Sequence, residues 1–300
     1  MRDGSSLRLQ HETVYDTPSD LPALVRQYLQ GVAAGPIAAV AFCGAGPIQT
    51  DGHIKLTNNA CVLDAAALAA AAGAPRSQVV NDFEAVAHSL PALTDDQLWK
   101  IGTGIAAPEA PRVVIGAGTG LGVASLLADG ADWRVLPGEG GHVDLAAVDD
   151  EEWIALQAIR KKHPRVKAEH VLSGPGLNRL YAACGGTSSL QGPAIASAAQ
   201  NGDAAAIKAL QLFTRWMGRF AGNLALTLLA RGGVYIAGGI VPGWGVAFDG
   251  ALFRLGFEDK APFGALLAEI PAYVIRHPQP GLLGLARMAS ASTSEKIRSC

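Results

Sequence analysis

One segment indicates both the fold class and a candidate site, and it reads Arg112-Val-Val-Ile-Gly-Ala-Gly-Thr-Gly-Leu-Gly122. Arg112 to Ile115 has the apolar, β-branched composition of a buried strand. The glycines from Gly116 to Gly122 follow at once, and their backbone N–H groups can turn toward an anion because no Cβ interferes. Thr119 adds a hydroxyl donor. The pattern predicts a phosphate cradle behind a strand, with a tight strand–turn–strand as the alternative.

Two common phosphate-binding motifs do not describe this cluster. A Walker A loop requires Gly-Lys-Ser/Thr, which does not follow here. A Rossmann fingerprint requires a third glycine three residues after the second, and the candidate positions hold Leu121 and Val123. The cluster is therefore assigned to neither motif.

A second glycine-rich loop reads Gly138-Glu-Gly-Gly-His142. Glu139 and His142 are separated only by glycines, and a plain turn needs neither side chain. A polyhydroxylated substrate does need such groups, since carboxylate acceptors and imidazole donors fix several hydroxyls at once. A metal site is the alternative, but no second histidine lies at ligand spacing. The loop predicts a binding site for a polar small molecule, with Glu139 carrying more of the argument than His142.

Asn81 and Asp82 lie where a predicted strand, 77–80, runs into a predicted helix. The carboxyl end of a strand is a common position for an active-site group. Asp82 can accept a proton from a hydroxyl nucleophile, and Asn81 can contact neighbouring hydroxyls. Capping of the helix that follows is the interpretation that these residues favour on their own.

Two further segments carry candidate residues. Glu169 precedes Leu172-Ser-Gly-Pro-Gly176, where a charged surface residue before a loop is the simpler interpretation. Gly238 and Gly239 follow a predicted strand, 234–237. Two interpretations are open for these glycines: they hold a flat nucleotide base against the backbone, or they only terminate the strand.

The remaining sequence alternates between strand and helix patterns, with hairpin signals at Asp51-Gly52 and Asp129-Gly130. This alternation predicts an α/β protein with mixed sheets. The predicted strands are 11–15, 37–42, 77–80, 112–115, 122–127, 133–136, 234–237 and 272–275. The predicted helices are 21–29, 65–72, 84–90, 149–162, 203–229 and 281–289.

Composition limits the classes of function. A chain of 300 residues predicts two domains or lobes. The net charge of −2 and the absence of a basic stripe argue against nucleic acid, since 162–167 is only a short mixed run on a surface. The cysteines are far apart, which argues against disulfides or zinc and favours a reducing cytoplasm. No apolar run reaches the roughly 18 residues of a membrane span.

Taken as a set, these motifs resemble those of the bacterial glucokinase family, in that family's order and spacing. The resemblance runs from about Thr13 to about Leu285. The zinc-binding cysteine cluster of the related repressor/kinase sugar kinases is missing. The motifs that carry the resemblance are Asn81-Asp-Phe83, Gly116-Ala-Gly-Thr-Gly-Leu-Gly122, Leu136-Pro-Gly-Glu-Gly-Gly-His142, Glu169 with Leu172-Ser-Gly-Pro-Gly176, and Gly232-Gly-Val-Tyr-Ile-Ala-Gly-Gly-Ile-Val-Pro242.

The resemblance implies an actin-like, ribonuclease-H-like fold in two α/β lobes with mixed sheets, and glucose bound in the cleft. The small lobe would comprise 1–93 and 279–300, and the large lobe 94–278. The implied reaction is phosphorylation of glucose at its 6-hydroxyl by ATP, with Mg²⁺ bridging phosphate oxygens. The family also implies a cytoplasmic homodimer.

The resemblance implies a role for each candidate residue. Asp82 would be the general base on the glucose 6-hydroxyl. The ligands of the other sugar hydroxyls would be Asn81, Glu139, His142 and Glu169. The second phosphate-binding element would be Gly116, Gly118, Thr119 and Gly120, and the adenosine-side element would be Gly238 and Gly239.

The chain departs from the family pattern at its start. The family opens with a strand and an Asp-x-Gly-Gly-Thr-Asn-x-Arg loop, whereas Asp3-Gly-Ser5 is too short a match for that loop. We expect the true start to lie upstream and the 300-residue form to be weakly active or unstable. A smaller departure is Cys61 in Asn59-Ala-Cys61, where the family usually keeps a tryptophan.

Two alternatives remain open on the sequence. The first is a non-catalytic sugar-binding or regulatory protein of kinase descent, which keeps the sugar ligands but cannot hold ATP. The second is a kinase for another hexose.

Overall fold

The computed structural model describes residues 10–16, 18–56, 61–187 and 190–294. The short Asp3-Gly-Ser5 match, Asn59-Ala60 and Cys300 lie outside the described residues. The chain divides into two compact units, Met1–Ala92 with Pro278–Cys300, and Leu93–His277. Among the described helices, none is long and apolar enough to cross a bilayer.

Helices and strands interleave along the chain. The helices are α1 (Leu21–Gly31), α2 (Ala65–Ala72), α3 (Asp82–Ser89), α4 (Asp150–Arg160), α5 (Gly174–Ala183), α6 (Pro193–Gln200), α7 (Ala204–Leu228), α8 (Ile240–Trp244), α9 (Gly250–Glu258), α10 (Gly264–Glu269) and α11 (Pro280–Ser294). The strands are β1 (Val40–Gly44), β2 (Ile54–Lys55), β3 (Val62–Leu63), β4 (Ser77–Asn81), β5 (Leu98–Ile101), β6 (Arg112–Ala117), β7 (Leu121–Asp129), β8 (Asp132–Gly138), β9 (Val234–Ala237) and β10 (Ala272–Ile275).

The larger unit is built on a sheet with the strand order β5-β10-β9-β6-β7-β8. The central strands β10, β9 and β6 are parallel, whereas β5 and β7 run antiparallel to their neighbours. The parallel strands are apolar and buried, as expected of a sheet with both faces covered. The prediction of a mixed sheet is confirmed.

Two glycines allow α7 to pack closely on α9. A Cβ at Gly222 would lie 2.5 Å from the Phe257 carbonyl oxygen, and one at Gly218 would overlap the Phe253 carbonyl. Trp216, two residues before Gly218 on α7, is fully buried. This close packing, expected from the small residues of the long helix, fixes the layer behind the sheet.

The smaller unit positions the segment Asn81-Asp82. Strand β1 pairs in parallel with β4, and α3 begins directly where β4 ends. Helix α3 packs on α11, where Gly284 is needed because a Cβ would overlap the Ala85 carbonyl oxygen. The Ala-rich helix α2 has the predicted bounds, with Asp64 accepting hydrogen bonds from the amides of Ala66 and Ala67.

One predicted strand is wrong. Residues 11–15 have no strand conformation, and Val14 is 89% exposed. The sequence indicated a strand leaving a turn, but within the described chain this segment has no strand to pair with. A strand forms only where a neighbour supplies its hydrogen bonds, so the local pattern was insufficient.

Candidate active site

The turn between β6 and β7 forms the first part of the site. The Gly118 amide donates to the Gly120 carbonyl at 2.9 Å, and the Gly118 carbonyl accepts from the Gly174 amide at 2.8 Å. A Cβ at Gly118 would meet no atom within 4 Å. Within the described chain, the amides of Thr119 and Gly120 make no hydrogen bond, so they are free to donate to a ligand.

Helix α5 brings its N-terminus to this turn. Ser173 caps the helix by accepting from the Gly176 amide at 3.0 Å. The first helical residue, Gly174, contacts Gly118 through the hydrogen bond described above. The Gly174 amide donates to Gly118, Pro175 has no N–H and the Gly176 amide donates to Ser173. The helix therefore contributes the partial positive charge of its N-terminus, which together with the free amides of the turn favours an anion.

The other predicted phosphate-site glycine, Gly116, lies inside the sheet. It is buried in β6, opposite Gly122 on β7 and Ala237 on β9. Its backbone belongs to the sheet and its role toward a phosphate stays a prediction.

A cavity of about 510 Å³ opens beside α5. Gly174 and Leu177 line it on one side, and Gly239 and Trp244 line it on another. Residues of α6, including Ser197 and Gln200, complete the wall. Its volume lies within the range of roughly 300–1,000 Å³ that is usual for small-molecule sites.

The two glycines after β9 have different environments. Gly238 has φ +84°, and a Cβ there would overlap the Ala117 carbonyl oxygen of β6. Gly239 has open space where a Cβ would stand and lines the cavity. Gly238 therefore serves the close approach of β9 to β6, while Gly239 is the one that can face a ligand.

Glu139 and His142 lie in the loop after β8. Their side chains are 61% and 45% exposed, and Glu139 Oε2 lies 3.9 Å from His142 Nε2. The intervening glycines are required, because a Cβ at Gly141 would overlap the Leu121 carbonyl oxygen and one at Gly140 would lie 2.9 Å from Val123 Cγ2. The loop packs against β7 and presents both polar side chains to solvent.

Glu169 contacts the turn between β6 and β7. Its Oε2 accepts a hydrogen bond from the Leu121 amide at 3.0 Å and would lie 2.6 Å from a Cβ at Gly120. The carboxylate is therefore held over the turn and is not the loosely solvated surface group of the simpler interpretation. Its other oxygen, Oε1, is the one left for a ligand.

Asn81 and Asp82 lie in the smaller unit, at the start of α3. Asn81 caps the helix, since its Oδ1 accepts from the Phe83 amide at 2.8 Å, and its Nδ2 donates to the Gly46 carbonyl at 3.1 Å. The cap that the sequence favoured is thus present. Asp82 Oδ1 also accepts from the Phe83 amide, at 3.0 Å.

Partial burial sets the electrostatics around Asp82. Desolvation raises the pKa of the Asp82 carboxyl above its usual range, and the hydrogen bond from Phe83 opposes the shift. Burial also raises the pKa of the nearby Cys43 thiol to about 11, with a further contribution from the charge of Asp82. Asp82 is a carboxylate with increased basicity next to a neutral thiol.

Sequence reasoning missed several residues that shape the site. Ser173 donates its hydroxyl to the Glu169 carbonyl at 2.7 Å and caps α5 at the same time. Its signal was available, because Ser before Gly-Pro is typical of a helix start. No sequence motif indicated Trp244 or Lys167. Trp244 lines the cavity, and Lys167 reaches the site through a backbone bridge to Asp144.

Comparison with known proteins identifies the family. A family model described as Glucokinase matches residues 5–292. The Tolumonas auensis glucokinase is 40% identical over 95% of this chain and 89% of its own length. The Cronobacter sakazakii glucokinase is 43% identical over 94% of this chain and 88% of its own.

A solved structure supports the same relationship. The glucokinase from an Antarctic psychrotroph is 31% identical and superposes with a TM-score of 0.82, covering 90% of this chain and 86% of that one. The fold is therefore that of the actin-like sugar kinases, as the sequence motifs implied. The chain belongs to the glucokinase family. Its activity is the ATP-dependent phosphorylation of glucose to glucose 6-phosphate.

Proposed function

We propose that Asp82 is the general base of this glucose phosphorylation and takes the proton of the 6-hydroxyl. The observation that carries the proposal is the partly desolvated carboxylate at the start of α3, whose pKa is raised above its usual range. A more basic carboxylate removes a hydroxyl proton more readily. The hydrogen bond from the Phe83 amide holds Oδ1 and leaves Oδ2 for the substrate.

The remaining sugar hydroxyls are held by carboxylate, imidazole and amide groups. Glu139 and Glu169 accept from hydroxyls, while His142 and Asn81 can donate to them. Glu169 suits this role because the Leu121 amide fixes one of its oxygens. Such positioning accounts for much of the catalysis in phosphoryl transfer.

ATP binds along the turn Gly118–Gly120 and the cavity beside α5. The free amides of Thr119 and Gly120 hold the phosphates, with the Thr119 hydroxyl as a further donor and the partial positive charge at the N-terminus of α5 as added stabilisation. The cavity that Gly239 lines receives the adenosine. Gly116 and Gly238 support this arrangement from within the sheet.

Mg²⁺ enters this proposal bound to ATP. Among the described residues, no cluster of three or more His, Cys, Asp and Glu side chains could hold a metal ion. Mg²⁺ usually keeps several waters and is bound through substrate phosphates. The chain's own residues therefore contribute the binding of the nucleotide, and no step is assigned to a protein-bound metal.

The assembly and setting complete the proposal. The unit Met1–Ala92 with Pro278–Cys300 is the small lobe and Leu93–His277 the large lobe. The protein acts in the cytoplasm as a homodimer, for which the family resemblance is the support. Sedimentation of the purified protein at micromolar concentration measures the dimer directly.

Substitution of Asp82 by Asn tests the assignment of the base. We expect kcat for glucose phosphorylation to fall by about 10²–10⁴-fold, because the amide cannot accept the proton. Glucose binding, measured by calorimetry, should remain within a few-fold of the native value. Asp96→Asn is the matched control at an exposed carboxylate.

One result would contradict the assignment of the base, and another would contradict the assignment of the substrate. Retention of native turnover in Asp82→Asn would show that Asp82 is not the base. A panel of hexoses tests the substrate, since a clear preference for a sugar other than glucose would favour the second alternative raised by the sequence.

A further inference from the structure

Lys167 contacts the sugar-site histidine from a neighbouring segment. Its ammonium nitrogen lies 3.3 Å from His142 Nδ1. A short antiparallel pairing brings the two together. Asp144 is bridged to Lys167, the Leu145 amide donates to the Val166 carbonyl at 3.1 Å, and the Ala168 amide donates to the Val143 carbonyl at 2.8 Å. In such a pairing, residues on diagonal positions of one face reach each other, so the contact follows from the backbone.

The positive charge of Lys167 is directed at the imidazole. Asp144, directly opposite, is engaged by Arg165 Nε at 2.5 Å. Within the described part of the chain, no carboxylate lies within the 4.0 Å salt-bridge limit of the Lys167 ammonium. An ammonium group can only donate hydrogen bonds. A hydrogen bond at this contact needs a lone pair on Nδ1, which places the ring proton on Nε2.

We propose that Lys167 is a positioning residue that fixes His142 as the Nε2–H tautomer, so that the ring donates to a sugar hydroxyl. The proposal rests on the sugar-binding role of His142 proposed above. Glu139 Oε2 lies 3.9 Å from the same Nε2. A hydroxyl between them donates its proton to Glu139 and accepts one from His142. The other tautomer would present two acceptors, and a hydroxyl can satisfy only one of them.

Kinetics of Lys167 variants test the proposal first. Lys167→Met keeps the apolar stem but removes the donor, and loss of a typical hydrogen bond predicts a roughly three- to tenfold rise in the KM for glucose. The kcat and the KM for ATP should stay within about twofold, since the interaction is made equally in the bound and transition states. Lys167→Arg retains a donor and should restore most of the affinity. Lys162→Met is the exposed control and should match the native enzyme.

A spectroscopic readout separates tautomer control from a merely structural effect. ¹⁵N spectra of the imidazoles, with His142 assigned from the His142→Ala spectrum, distinguish a protonated from an unprotonated ring nitrogen. We expect an unprotonated Nδ1 in the native protein. In Lys167→Glu the new carboxylate accepts from Nδ1–H, so Nδ1 should become protonated. Unchanged His142 resonances in Lys167→Glu would overturn the proposal.

A mutant cycle with His142→Ala separates the sugar-binding role of His142 from the positioning role of Lys167. Lys167→Met should add no further rise in the glucose KM once the imidazole is gone. If His142→Ala raises the KM but Lys167→Met does not, His142 binds sugar and only the positioning role fails. If His142→Ala itself leaves the KM unchanged, the sugar role of His142 is wrong and the positioning proposal falls with it.

Discussion

The turn Gly118–Gly120 and the loop Gly138–His142 are both rich in glycine, but their glycines do different things. At Gly118 the space that a Cβ would occupy is open. At Gly141 a Cβ would overlap the Leu121 carbonyl oxygen, and at Gly140 it would press on Val123. The first segment leaves the amides of Thr119 and Gly120 free for a ligand, whereas the second uses glycine to pack against β7.

This difference supports the proposal that the two segments bind two different substrates. An open backbone with free amides suits a phosphate, which needs donors and close approach. A tightly packed loop that projects Glu139 and His142 suits a sugar, which needs acceptors and donors on side chains. Glu169 contacts the first of the two segments, because its carboxylate accepts a hydrogen bond from the Leu121 amide at the end of the turn. A run of glycines in a sequence can therefore indicate either a backbone that binds a ligand or a loop that packs closely, and only the packing distinguishes the two.

The largest effect is expected from alanine at the packed glycine. Gly141→Ala should destabilise the fold by roughly 1–3 kcal/mol or more, because the added methyl meets backbone that cannot rotate away. Gly118→Ala is the matched substitution in open space and should leave stability nearly unchanged. Urea unfolding of both variants measures the contrast. Equal losses of stability would break the distinction between the two glycine segments.

Loss of the Glu169 carboxylate should destabilise the fold by a similar or smaller amount. Glu169→Ala leaves the amide of the buried Leu121 without its acceptor, which costs about 1–3 kcal/mol. Glu169→Gln keeps a carbonyl oxygen at the same place and should be close to native in unfolding experiments. If alanine and glutamine behave alike, the hydrogen bond from the Leu121 amide to Glu169 does not stabilise the fold.

A pH profile should separate binding by the two loops from the chemistry at Asp82. Burial raises the pKa of the Asp82 carboxyl from the ordinary 3.8, and the base works only when ionised. Activity should therefore fall as the pH drops through that raised pKa, so the acid limb of kcat/KM lies above 3.8. The limb should be absent from the residual activity of Asp82→Asn. Its persistence there would assign the limb to another group.

Elements defined by local signals could be predicted from the sequence. Helix α2 has its predicted bounds because Asp64 caps its start and Gly73, with φ +61°, ends it. Strands β9 and β10 also have their predicted bounds, since short apolar runs flanked by glycine or proline leave little freedom. Helix α3 begins earlier than predicted because Asn81 caps it directly.

Features that depend on distant partners could not be predicted. The segment 11–15 has a strand pattern but no strand to pair with in the described chain. The contact of Lys167 with His142 depends on the bridge between Asp144 and Lys167, which no local pattern indicates. The candidate site residues were found through the family resemblance, while the different tasks of Gly238 and Gly239 became clear only from their packing.

The most direct test of the proposal that the two segments bind different substrates is to measure the KM for ATP and the KM for glucose in one variant of each segment. Gly118→Ala places a methyl group on the open face of the phosphate turn and should raise the KM for ATP, by roughly three- to tenfold, without changing that for glucose. Glu139→Gln removes a charged acceptor and should raise the KM for glucose by about tenfold or more without changing that for ATP. Each variant affecting only its own substrate is the result we predict. Both variants raising the same constant, or Glu139→Gln raising the KM for ATP, would contradict the account.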